Sequence, residues 1–434
     1  MKTTRCILIL LDGLGDRGHK ELDGLTPLQA ALTPNLDRLA GQSSCGLLNT
    51  LRPGTAPPSE NAHLTLFGYT PDELPGRGLL EALGAGIEVG HEEVAVLAHF
   101  ASVKPDDNGS LILAGDRPEA APEEIQELIK AVSSHISAAK TCSFHPTHGL
   151  DGIIIIGPRA SAQITDTSPI CEGMNIIEPE AWATGGEQAA ETAAALKTYL
   201  LTIYERLQRH PINLSRQQAG KAPINFLVTQ RAGRNRNVQP FSRRWGLKGL
   251  SVSTGLVYRG LARYIGLDHT DISGRGEPGR DLSARLKLAG RADPSYDFIH
   301  VHSKAPDVAA HTKSPASKVQ AIESLDRGIG EVMDELTTSG DVIIVTADHS
   351  TPSSGPLIHS GEPVPVMMSG PGARLDAVQT FNEISCAGGA LGHLRGEDFM
   401  YVVLNALERV KLRGLMDTPW DQPFWPGRRR SFQL

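Results

Sequence analysis

The amino-acid sequence predicts an α/β protein: a doubly wound sheet covered on both faces by helices, with a smaller α/β domain inserted into it. Three observations carry that expectation. Short apolar runs recur at Cys6–Leu11, 153–156, 225–228, 298–302, Val342–Thr346 and 365–368; being continuous rather than alternating, they suit parallel strands buried on both sides. Helical patterns lie between them, and strands alternating with helices build layered α/β folds. The chain has 434 residues, 40% hydrophobic and 21% charged, which is enough for a large core and, at ~100–200 residues per domain, for two domains.

The elements follow in order. The run Cys6–Leu11 stops at Asp12-Gly13, too soon for a secretory leader, and reads as a buried strand. Thr33 is placed to cap a helix at 34–39, and 123–132 and 187–208 carry apolar residues at helical spacing. A further helix is expected at 317–336, where Val319, Ile322, Leu325, Ile329 and Met333 form one stripe. Gly84-Ala85-Gly86 and Arg291-Ala292-Asp293-Pro294 mark the expected boundaries. One discontinuous domain then covers 1–86 and 292–434, and the insert covers 87–291.

The composition excludes some functions. A formal net charge of −7 gives no global basic field for nucleic acid, although basic residues cluster at 231–244 and 428–430. The five cysteines form no C-x-x-C pair and are odd in number, so a disulfide framework is not expected and a reducing, cytoplasmic setting fits. No apolar stretch approaches the ~20 residues of a membrane span.

Three expected strands end in carboxylates. The first runs into Asp12, the 298–302 strand into Lys304 and an Asp307-x-x-x-His311 pair, and Val342–Thr346 into Asp348-His349. Ligands of open α/β sheets bind beyond the carboxyl ends of strands, so these groups can converge on one crevice. Asp307 and His311 share a helical face at i, i+4, and His359 follows in a loop able to reach them. Mixed imidazole and carboxylate donors suit two ions of Zn²⁺ or Mn²⁺ better than Ca²⁺ or Mg²⁺. Ser59 follows Pro57-Pro58 and precedes a helical run, so it falls at a helix cap or in the first turn. There it either caps the helix or, activated by a nearby cation, acts as a nucleophile.

These segments resemble the alkaline phosphatase superfamily and, more closely, the archaeal-type cofactor-independent (2,3-bisphosphoglycerate-independent) phosphoglycerate mutases. The resemblance rests on Asp12-Gly13, Pro57-Pro58-Ser59-Glu60-Asn61-Ala62-His63, Lys304-Ala305-Pro306-Asp307-x-x-x-His311 and Asp348-His349. Gly76-Arg77-Gly78, Ile164-Thr165-Asp166-Thr167-Ser168-Pro169, Arg231-Ala232-Gly233-Arg234 and Gly392-His393-Leu394-Arg395 extend it over nearly the whole chain. It implies an alkaline-phosphatase-like catalytic domain and an inserted substrate-binding domain that close over the substrate. It implies one ion on Asp307, His311 and His359, and another on Asp12, Asp348 and His349 with Ser59. The ions would be Mn²⁺ or Zn²⁺, with Mg²⁺ or Co²⁺ as alternatives, and no 2,3-bisphosphoglycerate would be needed.

By the same resemblance, Ser59 is the catalytic residue that takes and returns the phosphoryl group. Lys304 contacts that group, and Arg117, Asp166, Arg231 and Arg234 bind the substrate. The implied reaction interconverts 3-phosphoglycerate and 2-phosphoglycerate. The expected partner is a small phosphorylated metabolite; neither nucleic acid nor membrane is expected, and the oligomeric state stays open. Two segments depart from the family. Asp116-Arg117-Pro118-Glu119-Ala120-Ala121 stands where relatives carry Asp-Arg-Arg-Ala-Gly-Arg, and Leu97-Ala98-His99 stands where they carry Arg-Cys-Asn. Either His99, Arg159 or Arg243 compensates, or the substrate is another phosphate or phosphonate metabolite, handled by a phosphotransferase, mutase, phosphatase or homoserine-kinase-like relative. A metal-binding regulator without catalysis is the remaining reading.

Overall fold

The computed structural model describes residues 4–133, 140–272 and 276–434. Thirteen strands form among them: β1 (Cys6–Leu11), β2 (Ser44–Asn49), β3 (Val94–Pro105), β4 (Leu111–Asp116), β5 (Thr141–His148), β6 (Asp151–Gly157), β7 (Phe226–Gly233), β8 (Gly249–Ser253), β9 (Asp268–Asp271), β10 (Phe298–Ser303), β11 (Val342–Thr346), β12 (Val364–Ser369) and β13 (Gly392–Arg395). They fall into two compact units, Met1–Leu74 with Val238–Leu434, and Pro75–Asn237.

The larger unit holds an eight-stranded sheet in the order β13-β2-β12-β11-β1-β10-β8-β9. Its centre is parallel: β1 pairs with β10 and β11, β10 with β8, and β8 with β9. Every residue of β1, β10 and β11 is buried, which explains the apolar character of β1 and of residues 342–345 in β11. Within this sheet the run at 365–368 departs from the expected parallel direction. It lies in β12, which pairs antiparallel with both β11 and β2. Helices Ser59–Leu66 and Leu256–Ile265 bring His63 and Tyr258 against the β10 histidines, His300 and His302.

The insert is shorter than the sequence suggested. Its expected end at 291 placed β8 and β9 within it, but these strands extend the large sheet beyond β10. Its start also moves, from 87 to Pro75. The smaller unit is built on an antiparallel sheet, β4-β3-β6-β5, with β7 also paired to β3. The apolar runs at 153–156 and 225–228 therefore belong to antiparallel strands. Residues 153–156 of β6 are apolar without interruption because both sides of the strand are covered. Ile154 and Ile156 pack with Leu196, Tyr199 and Ile203 of helix Gly186–Gln208. Ile153 and Ile155 pack with Ala82 of helix Arg77–Ala85.

Two helical expectations change in detail. Thr33 occupies the cap position of helix Pro34–Ala40, but its side chain makes no cap bond; Asp326 instead accepts from the amides of Asn35 and Leu36. The helix expected at 317–336 is two helices, Pro315–Gly330 and Met333–Thr338. The break follows Gly328 and Gly330, residues that hold a helix weakly. No described helix is long and apolar enough to cross a membrane.

Candidate metal centre

The carboxyl ends of β1, β10 and β11 lie side by side because the three strands are parallel and paired in register. The loops after them bring together Asp12, Lys304, Asp307, Asp348 and His349. Two short links fix this meeting: the amide of Asp307 donates to the carbonyl of Asp12 at 3.1 Å, and the amide of Gly13 donates to Asp348 Oδ1 at 3.0 Å. Helix Ala305–His311 carries Asp307 and His311 on one face, with His311 Nε2 3.3 Å from Asp307 Oδ1.

Two groups of three donors form, each with its atoms within 4.8 Å of one another: Asp12, Asp348 and His349, and Asp307, His349 and His359. His349 belongs to both. His359 is oriented by a 2.7 Å contact from Nδ1 to the carbonyl of Pro57, which leaves Nε2 3.5 Å from Asp307 Oδ1. His311 is beside the second group rather than in it, its ring 5.7 Å from that of His359.

Ser59 is the first residue of helix Ser59–Leu66, after Pro58 as cap. Its Oγ lies 3.0 Å from His349 Nε2, the imidazole that both donor groups share. The hydroxyl therefore stands at their junction.

The donor set fits divalent cations. Asp12 Oδ1 and Asp348 Oδ2 are buried and make no hydrogen bond. They lie 3.6 and 3.3 Å from His349 Nε2. Two bare, buried carboxylate oxygens beside one imidazole are costly unless a cation receives them. The remaining oxygens are engaged: Asp348 Oδ1 accepts the amides of Gly13 and His349, and Asp307 Oδ1 accepts the Thr351 hydroxyl.

The local field keeps these groups ionised. Burial works to raise the Asp12 carboxyl, but Lys304, the hydrogen bond from His302 and nearby His349 outweigh it and hold Asp12 well below the usual carboxylate range. Burial likewise works to raise Asp307, and the contacts from His359 and Lys304 overcome it. Burial works to lower Lys304, yet Asp12 and Asp307 raise it, so it stays an ammonium. Its Nζ lies 2.9 Å from Asp307 Oδ2.

Sequence reasoning gave no role to three groups. His63 Nδ1 is 2.8 Å from the carbonyl of Ser59, one turn earlier, and 3.4 Å from Asp348 Oδ2. Tyr258 and His302 both reach Asp12 Oδ2. The i, i+4 spacing of Ser59 and His63, and two histidines on the strand leading to Lys304, were the available signals. Burial pushes His302 down to about 4, so it is a neutral donor.

The smaller unit has its own polar pocket, about 270 Å³, lined by Arg77, His99, Arg117, His148, Asp151 and Arg231 among others. Arg117 and Arg231 both have left-handed backbone, φ 48° and 55°, a conformation that ordinary side chains adopt at a cost and that recurs at binding sites. Asp166 lies outside the pocket lining, but its Oδ1 accepts the Arg231 amide at 2.6 Å and so holds that irregular stretch of β7. Arg234 does not line the pocket. Arg117 is shared between Asp116 and Asp151, at 2.8 and 2.9 Å. His99 lines the same pocket, but burial and Arg117 lower its pKa, so it supplies no full charge at neutral pH. Arg159 and Arg243 are not in the lining. A separate cavity of about 890 Å³, beside helix Pro278–Gly290, contains none of the metal-donor residues.

Comparison with known proteins gives a consistent neighbourhood. The Metalloenzyme superfamily profile matches residues 4–406. The 2,3-bisphosphoglycerate-independent phosphoglycerate mutase 2 of Methanocaldococcus jannaschii is 40% identical over 420 residues, covering 95% of each chain. The 2,3-bisphosphoglycerate-independent phosphoglycerate mutase of Methanopyrus kandleri is 36% identical, covering 94% of this chain and 98% of that protein. A solved Pyrococcus horikoshii protein has a TM-score of 0.78 at 29% identity, over 96% of this chain and all of its own. The cofactor-independent phosphoglycerate mutase of Thermoplasma acidophilum has a TM-score of 0.64 at 28% identity, over 93% and 99%.

Proposed function

We propose, from the premise that this chain belongs to the Metalloenzyme superfamily and to the 2,3-bisphosphoglycerate-independent phosphoglycerate mutases, that it interconverts 3-phosphoglycerate and 2-phosphoglycerate through a phosphorylated Ser59. One observation carries the role of Ser59: its hydroxyl lies 3.0 Å from His349, the residue common to both donor groups.

Asp12, Asp348 and His349 would hold one divalent ion, and Asp307, His349 or His311, and His359 the other. When bound, the ions supply positive charge beside the serine oxygen and the phosphoryl oxygens. The chain's own residues do the rest. Ser59 Oγ forms a bond to phosphorus as the bond to the glycerate oxygen breaks, and the serine proton ends on the released hydroxyl. The neighbouring glycerate hydroxyl then attacks the phosphoserine, and its proton returns to Ser59, so nothing is consumed. Lys304 is placed by Asp307 to meet phosphoryl charge at the mouth of the site. Arg117 and Arg231 take the anionic end of the substrate, with Asp166 holding the left-handed backbone of Arg231 in β7.

A second reading has one observation in its favour. Arg117 is already neutralised by Asp116 and Asp151, which weakens the pocket for a strongly anionic glycerate and favours another phosphate metabolite. Purified protein given Mn²⁺ and 3-phosphoglycerate, without 2,3-bisphosphoglycerate, separates the two. Formation of 2-phosphoglycerate supports the mutase. Its absence, with phosphate esters of other metabolites turned over through Ser59, supports the second reading.

A further inference from the structure

The Asp12 carboxylate has two oxygens in opposite circumstances. Oδ2 accepts the Tyr258 hydroxyl at 2.6 Å and lies 2.9 Å from His302 Nε2, with Lys304 Nζ at 3.5 Å. Oδ1 is buried and makes no hydrogen bond. Asp12 itself is 0% exposed, so no bulk water competes for either oxygen.

Tyr258 and His302 belong to neither donor group. They arrive from different elements, helix Leu256–Ile265 and β10, and their rings pack at 4.0 Å between centroids. Both are buried, at 3% and 1% exposed, so their own rotamers are locked by packing. An aspartate carboxyl turns easily about its terminal torsion, which has a broad well. Two fixed donors on one oxygen remove that freedom. A carboxylate oxygen favours the donors that reach it, and here both reach the same one.

Resting on the two-metal reading above, we propose that Tyr258 and His302 are positioning residues: by occupying Asp12 Oδ2 together, they present Oδ1 alone to the ion held with Asp348 and His349. Donors behind metal ligands orient them, and their removal typically lowers metal affinity about 10–100-fold. The effect is specific to one ion. Asp307, in the other group, is not touched by either residue; it is oriented by Thr351 and Lys304.

The test is a titration of metal-free, full-length protein with Mn²⁺ alone, by calorimetry, for the native chain and for Tyr258→Phe, His302→Leu and His302→Gln. The native chain should bind two ions. Tyr258→Phe and His302→Leu should weaken one of them roughly 10-fold or more and leave the other within about 2-fold. His302→Gln, which keeps an N–H donor, should recover most of the loss. Tyr258→Phe removes a single oxygen atom, so it tests the idea even if His302→Leu fails to fold. Native affinity at both sites in Tyr258→Phe, or equal weakening of both sites in Tyr258→Phe or His302→Leu, overturns the proposal while leaving the metal reading intact. No binding by the native chain overturns both. Because no substrate is present, a chain that never turned over phosphoglycerate would still give the expected titration.

Discussion

The backbone amide of Gly13 donates to Asp348 Oδ1 at 3.0 Å, joining the loops after β1 and β11 across 335 positions of sequence. Gly13 has φ +66°, and a Cβ there would lie 2.5 Å from Thr351 Oγ1 and 2.8 Å from Asp307 Cβ. The tightness of the site is therefore set by backbone as well as by donors. Gly13→Ala should cost about 1–3 kcal/mol in denaturant unfolding, from the strained conformation alone, and should lower turnover at least tenfold by displacing Asp307. Native stability and activity together would show that this approach is not needed.

Lys318 is a fully buried ammonium on helix Pro315–Gly330. It donates to the carbonyls of Gly15 and Thr351, each at 2.8 Å, and to Asp16 at 3.1 Å. It thus ties together the same two loops from below. Lys318→Met keeps the bulk but leaves Asp16 as an uncompensated buried charge. Breaking a buried pair this way costs about 3–5 kcal/mol, and urea unfolding of the metal-free protein should show it. A change under about 1 kcal/mol would mean that Asp16 is satisfied by Ser353 and His19 alone.

Arg117 offers a direct check on the smaller unit's pocket. Each charge-assisted hydrogen bond is worth about 1.5–3 kcal/mol, so Arg117→Ala should raise KM for 3-phosphoglycerate by roughly 10–100-fold with a smaller change in kcat. An unchanged KM would show that Asp116 and Asp151 keep this side chain from substrate.

Acid sensitivity has a named source. His300 is buried between His63 and Ser251, and burial, with help from His63 and His302, holds its pKa well below the ordinary value of 6.5. The unfolded chain then binds the proton first, so stability is full above 6.5 and falls as pH drops below it. For this one group the slope approaches about 1.4 kcal/mol per pH unit. Urea midpoints of the metal-free protein between pH 7 and pH 5 should fall less steeply in His300→Gln, in that ~2-unit window. Equal slopes would assign the acid sensitivity elsewhere.

Much of the centre was legible because its residues obey a rule that needs no side-chain detail: ligands gather beyond the carboxyl ends of parallel strands. Asp12, Asp307 and Asp348 each follow such an end, and Ser59 follows two prolines that fix its approach. Tyr258 and His302 escape a sequence reading because their partner, Asp12, lies on another element and no spacing in the chain reveals a hydrogen bond across a sheet; His63 differs, since its contact with the Ser59 carbonyl follows the i, i+4 spacing within one helix. The antiparallel direction of β12 escaped for a related reason: an apolar run reports burial, not orientation. β8 and β9 were assigned to the insert because their pairing with β10 is non-local.

The central claim is that Ser59 carries the phosphoryl group between the two hydroxyls of one glycerate. Mass spectrometry of peptides from enzyme rapidly acid-quenched with Mn²⁺ and 3-phosphoglycerate tests it most directly. Phosphate on Ser59, absent from Ser59→Ala together with all mutase turnover, is the expected result. Turnover that persists in Ser59→Ala, or phosphate found only on another residue, would contradict it.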